Sequence, residues 1–263
     1  MASGMSLKEM YDKLFDPRKM IERYFEQDNE FVEDSINQIF PAYLRILSSC
    51  AVKGGSLIQV STGPLIQYTI AACEYFDEII FACLNDKSIE ELQKWLKNDP
   101  DAMDFSHAMK LFCELQGSSD TWTQKLNIVQ EKVKLVCKCD MERRDPLSPT
   151  VLPQADCLLL VNSLDLLAKD KKTFCDALKN LSPLLKSGGH LIMVAALEAT
   201  FYMMGDVKFP YLFLDEALLR NTLKDAGYVI EDHHIYNRKA QCLYDVMDYT
   251  SVTILKACKE RDI

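Results

Sequence analysis

Eight residues, Leu57-Ile58-Gln59-Val60-Ser61-Thr62-Gly63-Pro64, constrain this chain more than any other stretch. An apolar run ends in a glycine-bearing turn, and a helical pattern follows from Leu65 to Tyr75. Together they read as a strand–turn–helix unit. Such a unit opens nucleotide-binding α/β domains, where the turn lets a ligand reach the backbone and the helix start favours its polar groups. Sites of this kind usually pair the strand end with an acidic residue and more than one glycine. Here Gln59 holds the acidic slot and Ser61 the first glycine slot.

The rest of the chain repeats the alternation. Residues 6–26 carry two short helical patterns, the second beginning after Asp16-Pro17, where proline suits an early helix position. A helical stripe (Phe31, Val32, Ile36, Ile39, Phe40, Tyr43, Leu44, Leu47) is interrupted by Pro41, which predicts a kink or two shorter helices. Glu78–Cys83 reads as a second strand and Lys87–Lys97 as an amphipathic helix ended by Asn98-Asp99-Pro100. Residues 105–132 read as helical segments split by Gly117-Ser118-Ser119-Asp120. Strands follow at Val133–Cys137 and Cys157–Val161. A helix over Thr173–Leu185 is expected to stop at Lys186-Ser187-Gly188-Gly189, before a fifth strand at Leu191–Ala196. A helix over Leu214–Ala226 stops at Gly227, and Tyr228–Ile235 with Tyr249–Leu255 forms a closing strand pair. Strands and helices at this spacing predict an α/β fold: a Rossmann-like, doubly wound, mainly parallel sheet with an antiparallel closing pair and an N-terminal helical cap. With no repeats or linker-like tracts, the reading is a single domain over 1–263, with a cap at 1–50 and a helical insertion at 104–132.

Composition narrows the partners. The formal net charge is −9 and basic residues form no stripe, which argues against nucleic acid, whose phosphates need one. No apolar run is long enough to cross a bilayer, and the N-terminus lacks a signal-peptide core. The ten cysteines include several at core-like positions (Cys73, Cys137, Cys157, Cys175), so they read as small buried hydrophobes in a reducing cytoplasm. Cys137-Lys138-Cys139 lacks a metal-ligand spacer, and none of the four histidines is spaced with a cysteine as in a metal motif, so no metal is expected. A monomer acting on a small molecule is the expectation.

Further segments carry a specific pattern: Phe15-Asp16-Pro17-Arg18, Gly63-Pro64, Glu91-Leu92-Gln93-Lys94-Trp95-Leu96-Lys97 and Lys138-Cys139-Asp140. Ala155-Asp156-Cys157, Asn180-Leu181, Leu184 to Gly189, Tyr202-Met203-Met204-Gly205 and Asp225-Ala226-Gly227-Tyr228 extend it. Through these the chain resembles, over nearly its whole length, the class I S-adenosylmethionine-dependent methyltransferases of the nicotinamide, indolethylamine, phenylethanolamine and thioether type. The resemblance implies methyl transfer from a sulfonium, an in-line displacement in which orientation and electrostatics do most of the catalysis.

It also implies a site and marks the departures from it. The cofactor would lie against Tyr24, Gln59, Ser61, Thr62, Gly63, Pro64, Cys83, Asp140 and Met141. Among these Gln59 stands where the family has Asp, Ser61 where it has Gly, and Cys83 where it has the ribose-binding carboxylate. Nearby Asp86 replaces that carboxylate only if its loop shifts. Of the cap tyrosines, expected at Met20, Tyr24 and Phe25, Tyr24 alone remains. Gln67 stands for a tyrosine inside the first helix, and Tyr68, one position off, is expected to turn away. Asp140 would bond the adenine amino group, with Met141 as an apolar wall. On the acceptor side Tyr202 is kept, while Ala195 and Tyr211 replace an Asp and a Ser, which makes nicotinamide a poor acceptor.

Other residues carry weaker signals. Asp165 and Asn162 follow the fourth strand and either face the cofactor cleft or cap a helix start. His233-His234 read as one packed and one exposed residue. Cys83 lacks a neighbouring base, so no catalytic residue is assigned. Two functional readings stay open. One is a methyltransferase acting on a small amine, heteroaromatic nitrogen or thioether. The other is a catalytically inactive pseudo-methyltransferase acting as a ligand-binding or structural protein.

Overall fold

A computed structural model describes residues 4–25, 38–49, 52–117, 121–239 and 244–260. Phe31, Val32 and Ile36 of the expected stripe, the Phe25 side chain and residues 118–120 lie outside them. The elements in chain order are α1 (Leu7–Leu14), α2 (Pro17–Phe25), α3 (Phe40–Ser48), β1 (Gly54–Ser61), α4 (Ile66–Ala72) and β2 (Phe76–Cys83). Next come α5 (Asp86–Leu96), α6 (Ser106–Gln116), α7 (Trp122–Lys132), β3 (Val133–Lys138), β4 (Ala155–Val161), α8 (Leu164–Leu167) and α9 (Lys171–Leu181). The chain closes with β5 (Leu185–Leu197), β6 (Phe201–Met204), β7 (Val207–Pro210), α10 (Glu216–Asp225), β8 (Tyr228–Asn237) and β9 (Ser251–Lys259).

Seven strands form one sheet in the order β3-β2-β1-β4-β5-β9-β8. The first five run parallel, β9 is antiparallel to β5, and β8 is antiparallel to β9. The strand order reverses between β1 and β4, the position beyond whose carboxyl ends ligands lie in open α/β sheets. Side chains alternating along each strand feed two apolar cores, one per face. Leu57 joins a core with Tyr43, Ile70, Trp95 and Val129, whereas Ile58 and Val60 join one with Phe174, Leu181, Leu219 and Leu223. Gln59 and Ser61 therefore fall on the face shared with the cap helices.

Local chemistry accounts for the ends of several elements. Ser6 and Glu9 form a capping box on α1, Thr121 and Gln124 one on α7, and Asp170 and Thr173 one on α9. Pro41 sits in the first turn of α3, where its missing N–H costs nothing, and the part of the expected stripe before residue 38 lies outside the described residues. Lys186-Ser187-Gly188-Gly189 corrects the reading of a helix stop: α9 ends at Leu181, a 3-10 turn over Ser182–Leu184 follows, and the glycines lie inside β5. Pro183 forces the earlier ending, and the irregular register of Ala155↔Leu185 and Cys157↔His190 absorbs the extra residues. The β6–β7 hairpin is unmarked by the apolar pattern, although Gly205, at φ 58° in its turn, is a signal for it. Among the described residues no helix is long and apolar enough to cross a membrane.

Candidate functional site

β1 delivers Gln59, Ser61 and the Thr62–Gly63–Pro64 turn to the reversal point, and all five are buried. Their polar groups are satisfied inside the protein. Gln59 Nε2 donates to Leu65 O at 2.9 Å, and its Oε1 accepts from Thr69 Oγ1 at 2.8 Å, tying β1 to α4. Ser61 Oγ donates to Gly63 O at 2.7 Å and braces the turn from within. Thr62 Oγ1 donates to Asn162 O at 3.1 Å, linking the turn to the end of β4. Ser88 Oγ and Asn85 Nδ2 both donate to Thr62 O from the start of α5. Cys83 is fully buried, and burial pushes its thiol far above the ordinary range. Asp86 is exposed and paired with Lys138 at 3.0 Å.

The cap closes directly onto the glycine. A Cβ placed on Gly63 would lie 2.1 Å from Met20 Cε and 2.8 Å from its Sδ. The cradle that the turn offers is thus filled by the end of a methionine side chain. Lys87 Nζ donates to Phe15 O at 2.8 Å, and Arg18 pairs with Glu91 at 2.8 Å, so both cap helices are anchored to α5.

Asp140 stands at the end of β3 and pairs with Lys8 Nζ of α1 at 2.7 Å. Partial burial raises its carboxyl, yet the Lys8 hydrogen bond and charge, the Glu142 N–H and Arg143 together hold it below the usual range. Met141 is buried beside it in the second core.

Next to the turn, a cavity of about 120 Å³ opens beyond the carboxyl ends of β1, β4 and β5. Met20, Tyr24, Thr62, Tyr68, Asn162, Val194, Ala196, Tyr202 and Tyr211 contribute to its wall. Asn162 holds φ 41°, a strained left-handed conformation of the kind that collects at functional sites. Hydroxyls hold the aromatic part of the wall. Tyr11 and Tyr202 share a 2.8 Å hydrogen bond, and Tyr24 donates to Met203 O at 2.6 Å, so the cap is latched to the β6–β7 hairpin. Tyr202 stacks on Phe209 with ring centroids 5.2 Å apart and meets Tyr211 edge-on at 6.3 Å.

Behind Tyr211 lies the most unusual group of the site. Asp165, on the short α8, is 0% exposed; its Oδ2 accepts the Tyr211 hydroxyl, while Oδ1 has no partner closing on it with hydrogen-bond geometry. Burial pushes its carboxyl up to about 6, against the opposing pull of Tyr211 and the backbone N–H groups of its own turn.

The sequence-derived residues are thus partly assembled. Tyr24, Thr62, Tyr202 and Tyr211 meet at the cavity wall, and Gly63 adjoins it through Met20. Ala195 does not join them: strand alternation turns it into the second core, and its neighbours Val194 and Ala196 line the cavity instead. Tyr68, expected to turn away, lines the cavity and packs on Phe40 and Tyr43, while Gln67 is buried with Nε2 unpartnered. α4 is a short helix beneath the cavity, all seven of its residues buried, so no side chain on it turns to solvent. Tyr11 and Leu166 were not singled out in the sequence. Only the fold brings α1 and α8 to this point.

Comparison with known proteins follows the same lines. Residues 4–260 match the NNMT/PNMT/TEMT family. The chain is 36% identical to human nicotinamide N-methyltransferase, over 88% of each chain. It is 33% identical to rabbit indolethylamine N-methyltransferase (Oryctolagus cuniculus), over 96% of this chain and 94% of that one. Among solved structures, the magnesium protoporphyrin IX methyltransferase of Synechocystis PCC 6803 with bound SAM superposes at a TM-score of 0.61. That match is 12% identical and covers 98% of this chain and 100% of that one, so it speaks to the fold.

Proposed function

From the premise that the chain belongs to the NNMT/PNMT/TEMT family, we propose S-adenosylmethionine-dependent methyl transfer to a small, largely apolar amine, heteroaromatic nitrogen or thioether. One observation carries the proposal: the tyrosine-walled cavity lies beside the Gly63 turn, with the buried Asp165 carboxyl behind its wall. The carboxyl's pKa of about 6 leaves it mainly ionised at neutral pH, a fixed negative charge that favours the positive charge a neutral nitrogen or thioether sulfur gains as it takes the methyl group. Nicotinamide is a poor fit. Its carboxamide needs polar partners, yet the Tyr211 hydroxyl is already committed to Asp165 and Ala195 faces the other core.

The backbone fits the cofactor better than the side chains do. Thr62, Gly63 and Asp140 would hold it once Met20, a flexible side chain, swings off the glycine. Gln59, Ser61 and Cys83 are committed elsewhere or fully buried and supply no carboxylate. When bound, the sulfonium supplies the methyl group as an electrophile. The chain's own contribution is positioning: Tyr24 and Tyr202 close the cap over the acceptor, exclude water and hold its attacking atom against the aromatic wall.

A second reading, an inactive pseudo-methyltransferase, is favoured by Met20 in the glycine cradle and by the inward bonds of Gln59 and Ser61. Hydrogen bonds to charged ligand groups contribute roughly 1.5–3 kcal/mol each. Loss of two such carboxylates weakens binding by about three orders of magnitude, since each ~1.4 kcal/mol is tenfold. Calorimetric titration with S-adenosylmethionine and S-adenosylhomocysteine separates the readings. Micromolar binding, followed by turnover in a screen of amines and thioethers, supports transfer; no binding at millimolar cofactor establishes the inactive reading.

A further inference from the structure

The second feature with chemistry of its own lies midway along β5, outside the residues that line the cavity. His190, Glu231 and Cys258 come from three strands, and their ligand atoms all fall within 4.8 Å of one another. Sheet register explains the meeting. His190 on β5 and Cys258 on β9 are direct cross-strand partners, and such pairs project to the same face. Glu231 sits where the β8–β9 register shifts between Ile230 and Asp232, and a bulge of this kind re-aims a side chain. It brings the Glu231 carboxylate to 3.4 Å from His190 Nε2.

We propose that His190, Glu231 and Cys258 form a binding site for a divalent cation of the zinc class. An imidazole, a carboxylate and a thiol are the donor types that a borderline-soft, tetrahedral ion takes, and a site at the surface keeps a fourth position open to water. Ligands at 2.0–2.3 Å around such an ion lie about 3.5 Å apart. The His190–Glu231 separation of 3.4 Å already has this value, so binding asks the Cys258 side chain to turn in and the Lys256 ammonium to move off Glu231. On binding, the thiol releases its proton to solvent, and thiolate and carboxylate together balance the ion's two positive charges.

Lys256 is the competing group. Its Nζ lies 3.2 Å from Glu231 Oε2 and 3.4 Å from Ser49 Oγ on the other side. The ammonium neutralises Glu231 in the metal-free protein, and Ser49 gives it a partner to retreat to when a cation takes its place. The site would clip β8, the edge strand, to β5 across the intervening β9, in a region that the methyl-transfer reading does not use.

The test titrates the purified, metal-free full chain with Zn²⁺ against a chromophoric chelator, with Co²⁺ as a spectroscopic probe. The expected result is one tightly held ion per chain, a thiolate-to-cobalt absorption band and a raised melting temperature with Zn²⁺. Cys258→Ser, close to isosteric, should abolish the band and weaken Zn²⁺ by more than about tenfold, the scale on which even supporting groups matter. His190→Gln should weaken it similarly, whereas Lys256→Met should tighten it several-fold by removing the resident cation. Circular dichroism of each variant separates loss of ligand from loss of fold. Failure of the wild-type chain to hold Zn²⁺ below millimolar overturns the proposal. So does a cobalt band or Zn²⁺ affinity that survives both Cys258→Ser and His190→Gln in folded protein.

Discussion

Replacing Asp165 by Asn gives the sharpest test of the site's electrostatics. The carboxyl is fully buried and titrates near 6 against an ordinary 3.8. Because the folded-state value is raised, its contribution to stability is fully present below 3.8. That contribution is lost as pH rises through 6, when a charge must form in the core. A difference of about 2 in pKa, at ~1.36 kcal/mol for each, makes the folded protein about 3 kcal/mol less stable above pH 7 than the same site held neutral. Asn cannot ionise, yet its Oδ1 still accepts the Tyr211 hydroxyl. Urea unfolding at intervals from pH 4 to 8 should therefore show the stability of Asp165→Asn relative to wild type growing by about 2–3 kcal/mol across that range. A difference that stays flat with pH would refute the reasoning, for it would mean that the carboxyl does not titrate there. If the carboxylate serves the reaction, the more stable variant also transfers the methyl group more slowly, the usual exchange at a functional site.

Four further outcomes follow from the same contacts. Tyr211→Phe removes the hydroxyl donor of a buried carboxylate and should cost about 1.5–3 kcal/mol at neutral pH, the loss shrinking below pH 6 as Asp165 protonates; urea unfolding at the two pH values checks it. Met20→Ala should empty the Gly63 cradle and raise S-adenosylhomocysteine affinity by calorimetry while costing about 2–5 kcal/mol of stability. Gly63→Ala should force the flexible end of Met20 aside at a modest cost when made alone and at a smaller one beside Met20→Ala, a coupling of roughly 0.5 kcal/mol or more in a double-mutant cycle by thermal unfolding. The Gln59→Asp, Ser61→Gly, Cys83→Asp triple variant should bind S-adenosylmethionine more tightly. It should also lose about 1–3 kcal/mol of stability, because Asp cannot donate to Leu65 O.

Much of the architecture is legible from spacing. The Leu57–Pro64 unit, the strand runs at Glu78, Val133 and Cys157, and the closing pair all correspond to observed strands. Parallel strands buried on both faces must be continuous apolar runs, so they show plainly in one dimension. The β6–β7 hairpin and the true end of α9 were less visible. Short strands carry little periodicity, and a proline and a glycine pair compete as stop signals. Register by resemblance also misplaced two side chains. Ala195 faces the wrong core because side chains alternate at every residue along a strand, so an offset of one reverses the face. Tyr68 reaches the cavity because α4 is enclosed on all sides.

What the sequence alone determined was the class of fold and the family, since both rest on local patterns: strand–turn–helix spacing, turn residues and short motifs. It also showed which family groups are missing: two carboxylates, at Gln59 and Cys83, and a glycine at Ser61. Only the tertiary structure decided what replaced them. Met20 lies on Gly63 from 43 positions earlier in the chain, Tyr11 meets Tyr202 from near the other end, and Asp165 is buried behind Tyr211. His190, Glu231 and Cys258, unremarkable as a sequence pattern, converge because strand pairing and one bulge put them on the same face. Such contacts depend on sheet order and on which groups lose water together. Burial, and the pKa and occupancy of a site that follow from it, is a property of the packed assembly that no short segment contains.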